Sequence, residues 1–430
     1  MDVRRDGRKG ERGGILILCA FSLIVLLLFV GLTIDFGLAY MTKASLGKAV
    51  DAAALTGARY VGQGQAQATA IAQTAFAMNY SGASRNSTGT APVPTIAFSK
   101  DSLQNTVIQV NATATIKTYF LALVPAYKTL SVSASAQARY ARVQMTLVLD
   151  RTGSMKTNAP GNSLQDAAIN FVNQWDNTSD SLAEISFAND SRLDYPMHTG
   201  GFQQPITNSI NAIQYQGDTY SDGALQLAFQ QEQLNLGLTG NIIHVVVFFT
   251  DGNANTVQNQ LICTGGTLQN PKSVNWNIGG FDPQNGQTVG TWVGFITPNI
   301  DTGSTSCSEN NSQSCCTSTF PSTLTGTQMP INWTNVNADA LNRAVQDANT
   351  MRANNIFVYA IGLHPTTGGV GVLNTAFLCQ IANDPCPAYG GNTSYNANLP
   401  VGEFILVTDS SGLSSAFQQV ANDIHLRLLQ

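Results

Sequence analysis

Gln144-Met-Thr-Leu-Val-Leu-Asp150-Arg-Thr-Gly-Ser-Met155 is the stretch whose reading decides the fold. An apolar run stops at Asp150, and Thr152, Gly153 and Ser154 follow. The pattern returns where Ile242-Ile-His-Val-Val-Val-Phe-Phe-Thr250 runs into Asp251-Gly252. Short apolar runs rich in β-branched and aromatic residues, stopped by a turn, read as strands buried on both faces. In open α/β sheets, ligands bind beyond the carboxyl ends of the strands at a topological switch point. Asp150 and Asp251 stand at two such ends. Two carboxylates converging with several hydroxyls point to a divalent cation.

Helix and strand signals alternate outward from these runs. Ser163–Trp175 reads as a helix with a capping box from Ser163 to Asp166. Leu182–Phe187 reads as a strand, and Phe202–Tyr215 and Ser221–Leu234 as helices on either side of Gly217-Asp218-Thr219. Asn337–Ala353 (helix), Ile356–Leu363 (strand), Phe404–Thr408 (strand) and Ser411–Leu428 (helix) complete the series. Such alternation predicts an α/β fold with a doubly wound, mostly parallel sheet over residues 141–430. Residues 253–335 interrupt it as a Cys-containing insertion, poor in helix or strand signals and rich in Gly, Ser, Thr, Asn and Gln. It leaves the sheet beside the two aspartates, so it either shapes the ligand face or is a neutral surface addition.

The motif order resembles a von Willebrand factor type A domain, which is Rossmann-like. Asp150-Arg-Thr152-Gly-Ser154 is similar to the family's Asp-x-Ser-x-Ser loop, Gly217-Asp218-Thr219 to its Gly-x-Thr loop, and Thr250-Asp251-Gly252 to its third motif. Threonine at 152 stands where serine is usual and keeps the hydroxyl. The resemblance implies a metal-ion-dependent adhesion site (MIDAS) made by Asp150, Thr152, Ser154, Thr219 and Asp251. It would hold Mg2+, or Mn2+ or Ca2+, and bind an acidic residue of a protein partner. The donor chemistry agrees, since Mg2+ prefers oxygen ligands, and hydroxyls leave the ion electron-poor enough to take a further carboxylate.

Catalysis is not expected. Asp150 lacks the second aspartate two residues on that a phosphotransfer nucleophile would have, and Ser154 lacks a Gly-x-Ser-x-Gly elbow. His244 sits inside an apolar strand and reads as a core residue, and His198, His364 and His425 have no motif around them.

Among 430 residues only 11% are charged, and the net charge is -5. The first 14 residues carry five basic and three acidic side chains, so the rest carries -7. With no basic patch outside that tail, a nucleic-acid partner is not expected. Cys19 lies in an apolar run, whereas Cys263, Cys307, Cys315, Cys316, Cys379 and Cys386 cluster in the carboxy-terminal part. Six cysteines in one exported region predict disulfides, and Cys379 and Cys386, around a short loop with Pro385, are expected to pair.

Ile15–Ile34 is twenty residues without a charge. At about 1.5 Å per residue it spans about 30 Å, the hydrocarbon thickness of a bilayer. Arg4, Arg5, Arg8, Lys9 and Arg12 precede it, which predicts a cytoplasmic amino terminus and an exported remainder. The run ends without an Ala-x-Ala-like site, so a retained anchor is expected. Leu46, Val50, Ala53, Gly57 and Val61 then form a helical stripe of small apolar residues, which packs either on a neighbouring subunit or on its own domain. Ala66–Met78 also reads as helical. Gly13-Gly14, the apolar run, Asp35-Phe-Gly37, Tyr40, Leu46 and Ala49-Val-Asp51-Ala-Ala-Ala-Leu55 resemble the amino terminus of TadE/TadG-like proteins of tight-adherence (Flp) pilus assembly. That resemblance implies a pilin-like helix anchored in a bacterial inner membrane.

Ser81–Pro94 reads as a loop. Pro94–Phe98, Thr106–Ile116 and Leu130–Tyr140 alternate with a period of two and read as half-buried antiparallel strands. Apolar Phe120–Pro125 between the last two is either a short helix or a membrane-proximal contact. The expected organisation is a basic tail (1–14), a transmembrane helix (15–35), a pilin-like helix with a small antiparallel β segment (36–140) and the A domain (141–430). The expected function is membrane-anchored, metal-dependent binding of an acidic protein partner in Flp pilus assembly, with the carboxy-terminal domain periplasmic or extracellular. The alternative is a pilin-like subunit, homo-oligomeric through its helix, that displays the A domain as an adhesin in a polymer.

Overall fold

The structure is a computed structural model that describes residues 11–80, 92–102, 105–235, 242–261, 274–280, 293–296, 319–330, 333–371 and 373–428. It divides into two compact units, one of Met1–Lys100 with Thr106–Tyr140, the other of Ala141–Gln430 with Asp101–Asn105.

The first unit is built on α1 (Glu11–Arg59), a single unbroken helix of 49 residues. Residues 16–30 of α1 are exposed and strongly apolar. By length and composition, this is a helix able to cross a membrane. Further along, Leu46, Val50, Ala53 and Gly57 are buried, and Val61, just past the helix end, is buried with them. They pack against α2 (Gln65–Asn79) and against a three-stranded antiparallel sheet, β1 (Thr95–Lys100), β2 (Thr106–Lys117) and β3 (Thr129–Tyr140), in the order β1-β2-β3. The small-residue stripe therefore serves its own domain. Alternation in β2 is as the sequence predicts, with Ile108, Val110, Ala112, Ala114 and Ile116 buried and the intervening residues partly or fully exposed. The segment between β2 and β3 is not an α-helix but two 3-10 turns, Leu121–Leu123 and Pro125–Tyr127. Of the loop expected at Ser81–Pro94, residues 81–91 lie outside the described residues, as do residues 1–10 of the basic tail.

In the second unit β4 (Arg142–Asp150) leads through α3 (Met155–Asn158) and α4 (Ser163–Val172) to β5 (Ser181–Phe187), β6 (Ser191–Thr199), α5 (Gln203–Asn211), α6 (Ser221–Gln233) and β7 (Ile242–Thr250). After β7 come β8 (Thr256–Leu261), β9 (Val274–Gly280), β10 (Val293–Ile296), β11 (Thr319–Pro321), β12 (Gln328–Pro330), α7 (Trp333–Ala353), β13 (Phe357–Leu363), α8 (Thr375–Ala382), β14 (Phe404–Val407) and α9 (Leu413–Leu428). The main sheet has the order β14-β13-β7-β4-β5-β6. All its pairs are parallel except β5 with β6. One core layer joins Val148, Phe248 and Val358 of the sheet to α6, α7 and α8, with Phe187 and Phe248 stacked at 5.5 Å. On the α4 and α9 side Phe417 packs 5.4 Å from Phe171 and 6.1 Å from Phe249. Helices on both faces make the sheet doubly wound.

Several local expectations change. β6 was not legible, because an edge strand is relieved of the need for a continuous apolar run and tolerates Asp194 and Pro196. α4 begins after Asn162, and the Ser163 hydroxyl is buried without a hydrogen bond, so no capping box forms. The insertion is not structureless. β8, β9 and β10 form an antiparallel sheet and β11 pairs with β12, with Ala254, Val257 and Phe320 rooted in the main core. Its cysteines Cys263, Cys307, Cys315 and Cys316 lie outside the described residues. Cys379 and Cys386 form the expected disulfide, closing the end of α8.

Candidate functional site

The order of the main sheet places the site. From β4 the chain moves to β5 and β6 on one side, then returns to β7 on the other, so β4 and β7 are neighbours at the switch point. Leu149 lies opposite Phe249 in register, which brings Asp150 and Asp251 to the same end of adjacent strands. Both carboxylates are fully buried.

The turn after β4 folds back on them. The amide of Thr152 donates to Asp150 Oδ1 at 2.7 Å, and the Thr250 hydroxyl donates to Asp150 Oδ2 at 2.6 Å. The Ser154 hydroxyl donates to Asp251 Oδ1 at 2.8 Å and lies 3.0 Å from the Thr152 hydroxyl, itself 3.4 Å from the same carboxylate oxygen. Asn158 of α3 donates its amide to Asp251 Oδ2 at 2.9 Å. The same Asn158 side chain accepts from the Val370 amide and donates to the Val370 carbonyl, each at 2.8 Å, and so ties a distant loop to the site.

Gly217-Asp218-Thr219 closes the site from α6's side. Gly217 has φ +86, and a Cβ there would lie 2.5 Å from Asn189 Oδ1, the atom that accepts from the Asp218 amide at 2.6 Å. Only glycine meets both the backbone angle and the close approach. The Gly153 amide donates to the Gly217 carbonyl at 3.0 Å, which docks the two loops on each other. Thr219 is buried, with its amide donating to Asn255 Oδ1 at 2.8 Å. Its hydroxyl lies 3.8 Å from where a side chain on Gly252 would begin.

The electrostatics are those of two acids with neutral company. Burial holds Asp150 above the usual carboxylate range, opposed by hydrogen bonds from Thr250 and Thr152. Burial, and then the charge on Asp150, push Asp251 up to about 8. Arg151, next in sequence, is paired with Asp190. The residues present therefore fit a divalent cation by donor chemistry: two buried carboxylates and hydroxyls from Thr152, Ser154 and Thr219 are the hard oxygen ligands such ions take. Among the described residues no group of three or more His, Cys, Asp or Glu is placed to hold a metal.

Asp150, Thr152, Ser154 and Asp251 are thus joined by direct hydrogen bonds, and Thr219 is held beside Gly252. Sequence reasoning missed three contributors. Thr250 lay in a quoted motif without a role; Asn158 and Asn255 had no motif. Three of the four histidines are engaged elsewhere: His198 Nδ1 lies 2.8 Å from the Gly200 carbonyl, His244 Nδ1 3.0 Å from buried Glu232, and His425 stacks on Trp175.

Residues 144–268 match the family model for the von Willebrand factor type A domain, and residues 13–59 that for Flp pilus-assembly TadE/G-like proteins. Domains of the first family commonly hold a divalent metal at their adhesion site. No curated protein matches the chain. Similar solved structures include the von Willebrand factor domain of the type V pili tip protein Mfa5 from Porphyromonas gingivalis, at 14% identity over 68% of this chain and 97% of that one, TM-score 0.39. Another is the pilus adhesin SpaC from Lactobacillus rhamnosus GG, at 13% identity over 81% of this chain and 36% of that one, TM-score 0.40. A third is proximal thread matrix protein 1 from the mussel byssus with a zinc-occupied MIDAS motif, at 14% identity over 66% of this chain and 46% of that one, TM-score 0.35. The chain spans less than half the length of that byssus protein.

Proposed function

We propose that this pilus-associated protein, a TadE/G-like segment followed by a von Willebrand factor A domain, binds a divalent cation through Asp150, Thr152, Ser154, Thr219 and Asp251. Through that cation it takes hold of an acidic residue on a protein partner, a pilus-assembly or surface component. The observation that carries the reading is the Asp150–Asp251 pair. Two carboxylates buried this close cannot both ionise without a countercharge, and the groups around them are hydroxyls and amides. A bound Mg2+, or Mn2+ or Ca2+, would supply that charge and an open position for one further carboxylate. We read the site as a binding site without catalysis, since the side chains gathered there among the described residues include no histidine or cysteine.

The anchor is the exposed apolar part of α1, with the amino terminus cytoplasmic and the A domain periplasmic or extracellular. The basic residues before the helix support that orientation. The Cys379–Cys386 disulfide fits an oxidising compartment. The pilin-polymer alternative loses its main support, because the stripe from Leu46 to Val61 is buried in its own unit.

The test is calorimetry of the detergent-solubilised full chain with Mg2+ and Mn2+, beside Asp150→Ala and Asp251→Ala, with circular dichroism to confirm folding. Saturable binding lost at least a hundredfold in both folded variants is expected, on the scale of losing a direct ligand. A folded wild-type chain that takes up neither ion would sink the cation reading.

A further inference from the structure

The loop between β2 and β3, Thr118-Tyr-Phe-Leu-Ala-Leu-Val-Pro-Ala-Tyr-Lys128, has no charge before Lys128 and is preceded by Lys117. Tyr119, Phe120, Leu123, Val124 and Tyr127 are all exposed, Leu123 at 72%. Apolar tips with this exposure in a water-facing hairpin are costly and need a cover.

The loop is clamped to α1 at one point. Asp35 is buried, and its carboxylate accepts the backbone amides of Tyr119, Phe120 and Leu121 at 2.8, 2.9 and 2.7 Å. One turn earlier on the helix, Gly31 leaves room for the Phe120 ring: a Cβ there would lie 2.2 Å from it. From this clamp the loop runs back along the helix toward its amino-terminal end. Val25, Leu28 and Leu32 of α1 and Phe120, Leu123 and Val124 of the loop line a groove of about 350 Å³. Leu28 and Val25 lie seven and ten residues before Asp35, about 10 and 15 Å along the axis. They belong to the stretch of α1 that has the length and composition of a membrane span.

Much of the loop's backbone already has its donors satisfied without water. Besides the three amides held by Asp35, those of Thr118, Leu123, Val124 and Tyr127 donate to carbonyls within the loop, and Pro125 has no N–H. Irregular backbone at membrane depth requires this kind of satisfaction. Tyrosines just inside two flanking lysines repeat the order of an interfacial belt, with rings at headgroup level and cations outside it.

We propose that the Thr118–Lys128 loop is a second membrane element, inserted beside α1 into the outer part of the bilayer, with lipid acyl chains filling the groove that the loop and helix form. Asp35 fixes its depth. The proposal rests on α1 being a bilayer anchor, and the test separates the two. Leu123→Trp and, separately, Phe21→Trp are made in the full chain and reconstituted into phosphatidylcholine–phosphatidylglycerol vesicles, with and without dibrominated acyl chains. The native Trp175, Trp276, Trp292 and Trp333 provide the background measured in the parent. Quenching by brominated lipid at both introduced tryptophans is expected. Adding Asp35→Ala or Gly31→Leu should remove it at Leu123→Trp and leave it at Phe21→Trp. Quenching at Phe21→Trp alone overturns the loop proposal and leaves the anchor standing. Quenching at neither position overturns both. Quenching at Leu123→Trp that survives Asp35→Ala and Gly31→Leu overturns the clamp.

Discussion

Asp35 and the Asp150–Asp251 pair are buried carboxylates that solve the same problem in opposite ways. Asp35 takes three backbone amides. Its oxygens are spoken for, and it acts as a fastener between a helix and a loop. Asp150 and Asp251 stand at the same end of adjacent strands, and hydroxyls, amides and each other are what act on them. Burial alone does not mark a ligand site. What separates a fastener from a cation site is whether the donors around a carboxylate suffice to hold its charge without an ion.

The most severe way to break this contrast is at the fastener. Asp35→Ala leaves three amides without an acceptor, each hydrogen bond to a charged group being worth about 1.5–3 kcal/mol. Hydrogen exchange at Tyr119–Leu121 should speed up by about a hundredfold or more, and Asp35→Asn, which keeps one acceptor oxygen, should fall between. Unchanged exchange in Asp35→Ala would mean that the carboxylate holds nothing.

At the pair, Asn158→Ala removes a donor to Asp251 without removing a ligand. Cation affinity should drop about tenfold, as for other groups that orient ligands. The amide of Val370 should exchange faster in the same variant, because it loses its acceptor. Full affinity in Asn158→Ala would show that Asp251 needs no orientation.

Glu184 sharpens the rule from a third side. It sits in β5 at the irregular pairing with β6, fully buried, with neither oxygen in a well-formed hydrogen bond and only the Ser209 hydroxyl near enough to favour its charge as a donor. Burial pushes it up to about 8 from an ordinary 4.5. Because the folded value lies above the unfolded one, its stabilising contribution is complete below about 4.5 and is lost as pH rises to about 8. Glu184→Gln should therefore flatten the loss of thermal stability across that window and raise the melting temperature near pH 8 by several degrees. Parallel melting curves for variant and parent would contradict this. The smallest effect is expected from Thr152→Ser. It keeps the hydroxyl, so cation affinity should stay within about threefold, whereas Thr152→Val, which takes away a proposed ligand, should weaken it by about a hundredfold.

How much was readable in advance follows the same physics. β4 and β7 were legible because strands buried on both faces must be apolar throughout, and their ends were marked by Asp150 and Asp251. The Gly217-Asp218-Thr219 turn was legible through its resemblance to the family's Gly-x-Thr loop, and the structure supplies the reason for its glycine, a positive φ in a tight approach. Asn158 was not, since its role depends on meeting Asp251 and Val370, partners 93 and 212 residues away. β8 was hidden because Thr256–Leu261 places Asn259 between Val257 and Leu261, where apolar alternation would have shown it. The stripe from Leu46 to Val61 was seen, but only the packing around it could say which surface it served.

α1 has a mechanical consequence. At 49 residues it is about 74 Å long, more than twice what a bilayer needs, and it runs unbroken from the apolar stretch into its packed end. It is a strut, with no hinge at which pull or twist could be absorbed. A load applied to the folded part of this unit is carried down the axis by backbone hydrogen bonds in series and reaches the apolar stretch undamped.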